Sequence, residues 1–249
     1  MGTIQENRDH WNHYLWPEGG DEWSEVWGGA SFQWWGALYP RLMRFLPTGT
    51  VLEIAPGFGR FTQFLLQQCR RFIGVDLSEK CVEECRSRFR DSGQVSFHVN
   101  NGLTLPMIED GTVDFAFSFD SLVHAEADVL HSYVAELATK LSPNGVGFIH
   151  HSNIGAFADP ETGRIPFDNL HWRAESCSAE LFRSHCDELS LSCIRQELVN
   201  WGGTELTDAF SIVTRPGSVW DRPREIRENK NFMTEAESLG ALARFYPRA

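Results

Sequence analysis

Four side chains able to move a proton fall in two short stretches of the chain. Asp120 and His124 stand four residues apart in SFDSLVHAEAD, and His150 and His151 are adjacent in GFIHHSN. A neutral imidazole with its ordinary pKa of about 6.5 suits a general base at neutral pH. Such a base contributes roughly 10²–10⁴-fold to a step that removes a proton. Asp120 and His124 share a face if the chain turns helical there, so the carboxylate would orient the ring. Strand alternation sends one of His150 and His151 to the opposite face of a sheet. An alternative use of Asp120, His150 and His151 is to hold a divalent ion that lowers the pKa of a bound hydroxyl. Two imidazoles depart from the all-oxygen ligands that a hard ion such as Mg²⁺ prefers, which counts against Mg²⁺ there.

A second stretch is built to approach a ligand with bare backbone. V-L-E-I-A-P-G-F-G-R (51–60) follows a predicted strand and opens a predicted helix, with Glu53 before the loop and Ala55, Gly57 and Gly59 within it. Glycines allow close approach, and the helix N-terminus offers free N–H groups. Asp76 ends the next strand, 23 residues after Glu53, where a carboxylate can accept both hydroxyls of a ribose. The loop is too short for the dinucleotide pattern G-x-G-x-x-G, which counts against a nicotinamide cofactor.

The elements that must position these residues alternate. Apolar runs at 51–55, 71–76, 95–100, 113–120 and 146–152 read as buried strands, with helical patterns at 60–69, 78–90 and 126–141 between them. Continuous apolar strands alternating with amphipathic helices predict an α/β fold with a parallel sheet covered on both faces. After the fifth strand comes a polar insert (156–176), then a helix (178–189) and two strands (193–201 and 208–216) able to pair antiparallel. Six of the nine Trp lie in residues 1–45 among paired glycines, which predicts a mobile aromatic lid over an acceptor site. Residues 217–249 are charged and are expected to wrap the surface as a tail of a single domain, whose core is 46–216.

Composition bounds the function. A chain of 249 residues with 42% hydrophobic and 22% charged residues holds an ordinary globular core. Its net charge of −12 disfavours nucleic acid and anionic membranes as partners. The six Cys form no C-x-x-C pair and read as packing residues. No apolar run reaches the ~18 residues of a spanning helix, so no stable membrane insertion is expected and a cytoplasmic location is. Nothing in the chain decides its oligomeric state.

The loop and its successors resemble the class I S-adenosylmethionine-dependent methyltransferases. Glu53-Ile-Ala55-Pro-Gly57-Phe-Gly59 is similar to that family's first motif, with Ala55 in place of its first glycine. GVDLSEKCVE (74–83) is similar to the second, which implies that Asp76 and Leu77 contact the cofactor. VNNGLTLP (99–106) resembles the third, which implies that Asn101 receives the adenine amino group beside the Gly102 N–H. VDFAFSFDSLVHAEAD (113–128) resembles the fourth, placing Phe119 and Asp120 beside the methyl group, and LSPNGVGFIHHSN (141–153) the fifth. The resemblance implies a Rossmann-like, mostly parallel seven-stranded sheet ordered 3-2-1-4-5-7-6 with strand seven antiparallel, and S-adenosylmethionine as cofactor.

For the acceptor, a dense histidine cluster favours a hydroxyl, whose proton must be removed. Indoles stack on sugar faces, so Trp16, Trp27, Trp34 and the insert's His171 are candidate acceptor contacts. Together they suggest a saccharide or glycosylated small molecule. HHSN…NLHWRAES…LVNWGG also resembles small O-methyltransferases of glycan biosynthesis, of the kind acting on methylmannose polysaccharide. The alternatives are N- or C-methylation of a planar natural product, or binding of the cofactor without transfer. A histidine base with an ordinary pKa predicts a rate that falls below about pH 6.

Overall fold

The computed structural model describes residues 2–246. Strands β1 (Thr48–Ile54), β2 (Cys69–Asp76), β3 (Val95–Val99), β4 (Val113–Ser118), β5 (Leu141–Ser152), β6 (Ser192–Val199), β7 (Asp208–Thr214) and β8 (Glu225–Asn229) form one sheet, ordered β3-β2-β1-β4-β5-β7-β6-β8. The first five strands run parallel, β7 is antiparallel to both β5 and β6, and β8 is parallel to β6. This is the expected Rossmann-like methyltransferase order with one strand added at its edge. The apolar runs are continuous because the sheet is covered on both sides. Alternate residues of β1 and β4 enter different cores, Val51, Phe115 and Phe117 one and Leu52, Ile54 and Ala116 the other.

Helices α1 (Ile4–His13), α2 (Ala30–Phe32), α3 (Tyr39–Leu42), α4 (Thr62–Leu65), α5 (Glu79–Arg88), α6 (Ala127–Lys140), α7 (Ala179–Glu188) and α8 (Phe232–Phe245) surround the sheet. Their starts follow capping chemistry: the hydroxyls of Thr3, Ser78 and Ser178 accept the backbone N–H of Glu6, Cys81 and Leu181. No described helix is long and apolar enough to cross a membrane.

Two expectations change. Residues 1–45 are not a single lid. Helix α1 has no buried residue, and side chains hold it and the residues after it to α5: Ser78 Oγ donates to Asn12 Oδ1 (2.7 Å) and Lys80 Nζ to the Tyr14 carbonyl (2.6 Å). From Ser24 onward the segment contributes to the core. Trp27, Trp34, Leu38 and Leu42 are buried, and Trp34 stacks on Phe64 with ring centroids 5.5 Å apart. Nor do residues 217–249 merely wrap the surface: they supply β8, and α8 packs on residues 21–36. That contact needs glycine, since a Cβ on Gly28 would lie 2.2 Å from the Ala243 Cβ. The eighth strand escaped the sequence pattern because four of its five side chains are exposed, so edge pairing left no apolar signature.

Trp34→Ala should therefore lower unfolding free energy by about 3–5 kcal/mol in denaturant titrations, as for other buried large-to-small changes. Removing residues 1–35 should abolish folding, whereas removing residues 1–19 should leave a cooperative transition near the native midpoint.

Candidate functional site

A cavity of about 470 Å³ opens at the carboxyl ends of β1, β2 and β4, and its walls include Trp11, Trp16 and Trp23 from the N-terminal segment. Crevices of this kind at the strand ends are where open α/β sheets hold ligands. Glu53, Ala55, Gly57, Asp76, Leu77, Gly102 and Phe119 all line it, together with Asp120, His124 and His171.

The loop after β1 is shaped by two left-handed residues beside the cavity. Ala55 sits at φ +57° and Gly57 at φ +57°, so the position where the related motif has its first glycine keeps that conformation with an alanine in it. This costs roughly 1–2 kcal/mol relative to an ordinary conformation. A Cβ on Gly57 would come within 2.8 Å of the Trp16 ring, which stacks on Phe58 at 4.5 Å. Gly59 (φ +82°) does not line the cavity; a Cβ there would strike Phe89 at 2.4 Å, so its role is packing.

Asp76 is buried at the end of β2, where its two oxygens accept the N–H of Gly57 (3.0 Å) and of Ser78 (2.9 Å). Each oxygen keeps a lone pair for a ribose hydroxyl. Burial raises its carboxyl to about 6, against the amide N–H bonds of Ser78, Gly57 and Leu77. Burial likewise pushes Glu53 up to about 8, opposed by the Thr62 hydroxyl and Arg60. These residues fit a nucleoside cofactor: a buried carboxylate with spare acceptors stands beside the left-handed backbone of Ala55 and Gly57, which lines the cavity.

Asn101 does not take the expected place. It is exposed, lies outside the cavity, and its Oδ1 accepts from Leu103 N (2.9 Å) and Thr104 N (2.8 Å), closing its own turn. The buried neighbour is Asn100, which donates to the Tyr133 hydroxyl (2.9 Å) and accepts from Gly102 N (3.2 Å).

The histidine cluster separates. His150 Nδ1 accepts the Asp120 backbone N–H at 3.0 Å, so Nε2 carries the proton and donates to Asp208 Oδ2 at 2.8 Å. Both nitrogens are committed, and burial holds the ring below its ordinary pKa. His151 points to the other face, as alternation required of one of the pair. It stacks on Phe182 at 4.2 Å and bonds Ser211 Oγ at 2.8 Å, and burial pushes it down to about 4. Neither is a base, and with the sheet between them they cannot hold one ion with Asp120. The Mg²⁺ site is therefore not formed by these residues. His124 alone stays at the cavity. Its Nδ1–H donates to the Trp172 carbonyl at 2.9 Å, which leaves Nε2 as a lone pair with no hydrogen bond among the described residues. Burial and then Arg173 push its pKa to about 4, which would move a His124-dependent fall in rate from about pH 6 to about pH 4.

Three charged residues not singled out in the sequence organise the cavity floor. Arg60 donates to Asp120 (3.1 Å), while Arg173 grips Asp208 (2.7 and 3.0 Å) and approaches Asp120 at 3.5 Å. Burial raises the Asp208 carboxyl, but Arg173 and His150 outweigh it and hold the group well below the usual carboxylate range. Of the tryptophans, Trp16 lines the cavity and Trp27 borders it while almost wholly buried; Trp34 lies in the core and touches no cavity. The insert returns His171 and Trp172 to the mouth because Ala174 N bonds the Val123 carbonyl (2.8 Å). Two buried atoms of lining residues, Trp27 Nε1 and Glu22 Oε1, lack a hydrogen-bond partner among the described residues.

Comparison with known proteins agrees with this geometry. Residues 51–145 match the family described as a methyltransferase domain. The chain is similar to phosphoethanolamine N-methyltransferase 1 of Caenorhabditis elegans, 22% identical over 49% of this chain and 24% of that protein. It is also similar to the protein of the same name from Triticum aestivum, 25% identical over 58% of this chain and 29% of that one. The matched region thus spans about a quarter of these curated relatives' length. Among solved structures, geranyl diphosphate C-methyltransferase from Streptomyces coelicolor, in complex with Mg²⁺, geranyl diphosphate and S-adenosyl-L-homocysteine, superposes with a TM-score of 0.63. It is 16% identical, with 85% of this chain and 98% of that one covered.

Asp76 yields a signed pH dependence. Above about pH 6 it is a carboxylate with acceptor capacity for two hydroxyls; below that value protonation removes acceptor capacity. Calorimetry should show S-adenosylmethionine affinity falling as pH drops from 7 to 5. Asp76→Ala should lose about 1–3 kcal/mol at pH 7 and should flatten that dependence.

Proposed function

We propose that this chain, whose residues 51–145 match a methyltransferase domain, is an S-adenosylmethionine-dependent methyltransferase acting on a small planar acceptor. The acceptor atom is a nitrogen or carbon already nucleophilic without loss of a proton. When bound, the cofactor supplies a sulfonium-linked methyl group. Asp76 holds the ribose, Gly57 and Ala55 bring bare backbone to the cofactor, and Leu77, Gly102 and Tyr133 wall the nucleoside end. Phe119 and Asp120, at the end of β4, position the acceptor with His124, Trp11 and Trp172, and the aromatic walls shed water from it. Holding the acceptor in line contributes up to ~7–11 kcal/mol without any covalent step on the protein.

One observation carries the choice of acceptor: no histidine of the strand-end cluster is a free base of ordinary pKa, and the carboxyls raised towards neutrality, Asp76 and Glu53, stand at the cofactor end of the cavity. His124 is held near 4 and both nitrogens of His150 are used. His124 Nε2 instead serves as a neutral hydrogen-bond acceptor for an N–H of the substrate. N-methylation in the curated relatives and C-methylation in the structural neighbour lie in the same direction. Methylation of a saccharide hydroxyl keeps one support, the same Nε2 lone pair beside the indoles of Trp11 and Trp172 at the mouth.

Labelled S-adenosylmethionine assayed against amines, aromatic nitrogen heterocycles, electron-rich aromatics and short oligosaccharides separates the readings. The expected result is turnover on a nitrogen or carbon acceptor, with His124→Gln reducing kcat by about tenfold or less. Turnover confined to saccharides, with a loss of roughly 10²–10⁴ in His124→Gln, would establish the hydroxyl reading instead. Cofactor binding without turnover on any class would point to a binding protein.

A further inference from the structure

On the side of the sheet carrying α6 and α7, away from the methyl-transfer cavity, three metal-ligating side chains converge. His131 projects from α6; His185 and Glu188, three residues apart, share a face of α7. The two imidazoles meet edge to face with centroids 4.9 Å apart, and His131 Nε2 lies 3.6 Å from Glu188 Oε2. One ligand atom from each residue lies within 4.8 Å of the other two. His185 Nε2 is buried and has no hydrogen-bond partner among the described residues, although its ring stands directly against His131. A buried nitrogen normally finds a partner.

We propose that His131, His185 and Glu188 form a divalent-cation site that clamps α6 to α7. Two neutral imidazole nitrogens and one carboxylate suit a borderline-soft ion such as Zn²⁺ rather than Mg²⁺ or Ca²⁺, which prefer all-oxygen shells. Zn–N and Zn–O distances of about 2.0–2.1 Å in a tetrahedron separate ligand atoms by about 3.3 Å. The His131–Glu188 pair is already close to that spacing, and the remaining separations, none above 4.8 Å, close by rotation of the imidazoles and of the largely exposed Glu188 side chain, with water as the fourth ligand. Beneath the site, Leu130, Val134, Phe182 and Cys186 already pack the two helices together, so the ion would complete a seam whose backbone is in place.

Titration of tag-free, chelator-stripped protein with zinc chloride tests this. The native chain should bind one equivalent with a micromolar or tighter dissociation constant, and saturating zinc should raise its thermal midpoint. His131→Gln and His185→Gln should each weaken binding at least about tenfold and abolish the thermal shift. Both should bind S-adenosylmethionine as the native chain does, which reports an intact fold; should either lose it, Glu188→Gln, at a largely exposed side chain, supplies the same test. Absence of zinc binding by the native chain, or unchanged binding in the variants, would overturn the assignment.

Discussion

Everything at the mouth of the sheet hangs on a buried ionic cluster joining segments far apart in sequence. Asp208, at the start of β7, holds Arg173 of the insert and His150 of β5. His150 in turn receives the backbone N–H of Asp120, and Asp120 holds Arg60 from the turn after the glycine loop. Two guanidinium groups face two carboxylates, so the buried formal charges balance. Removing one partner of such a cluster strands a buried charge and costs about 3–5 kcal/mol, although a well-packed apolar replacement of the whole can be neutral. The cluster therefore acts chiefly on geometry: it fixes Asp120 at φ +58° at the end of β4 and ties the insert's return over the cavity.

That constraint also sets the chemistry. A histidine drawn into an Asp–His–backbone chain is a positioning element rather than a base, because its proton and its lone pair are both in use. His124 escapes the chain but not its field: Arg173 adds to burial in keeping that ring neutral. Neutral imidazole, paired charges and aromatic walls at the strand ends are the features on which the proposed nitrogen or carbon acceptor rests.

The aromatic N-terminal region divides along its length for a physical reason. Helix α1 is attached by polar side chains and exposes most of its surface, so its attachment is local and modest in energy. Trp27 and Trp34 each bury an indole against the sheet or α8 and form part of the continuous core. Only Trp11, Trp16 and Trp23, at the boundary, have a ring free to face a ligand as well as one another.

Local patterning decided much of this protein before any tertiary contact was known. Apolar runs marked seven of the eight strands, and helical patterns marked α5, α6 and α7 but not α8. The spaced glycines with Asp76 marked the nucleoside end of the cavity, since left-handed backbone and a strand-end carboxylate are short-range requirements that residue types reveal. The direction of each side chain was another matter. That His150 is locked, His151 faces away and Trp34 lies in the core depends on partners about 30 to 60 residues away, while Asn101 spends its side-chain oxygen on its own turn. Arg60, Arg173 and Asp208 read as ordinary surface charges until folding brings them together, because a buried ion pair has no local period. The edge strand β8 was equally silent: its stabilisation comes from backbone bonds to β6, which any side chains allow.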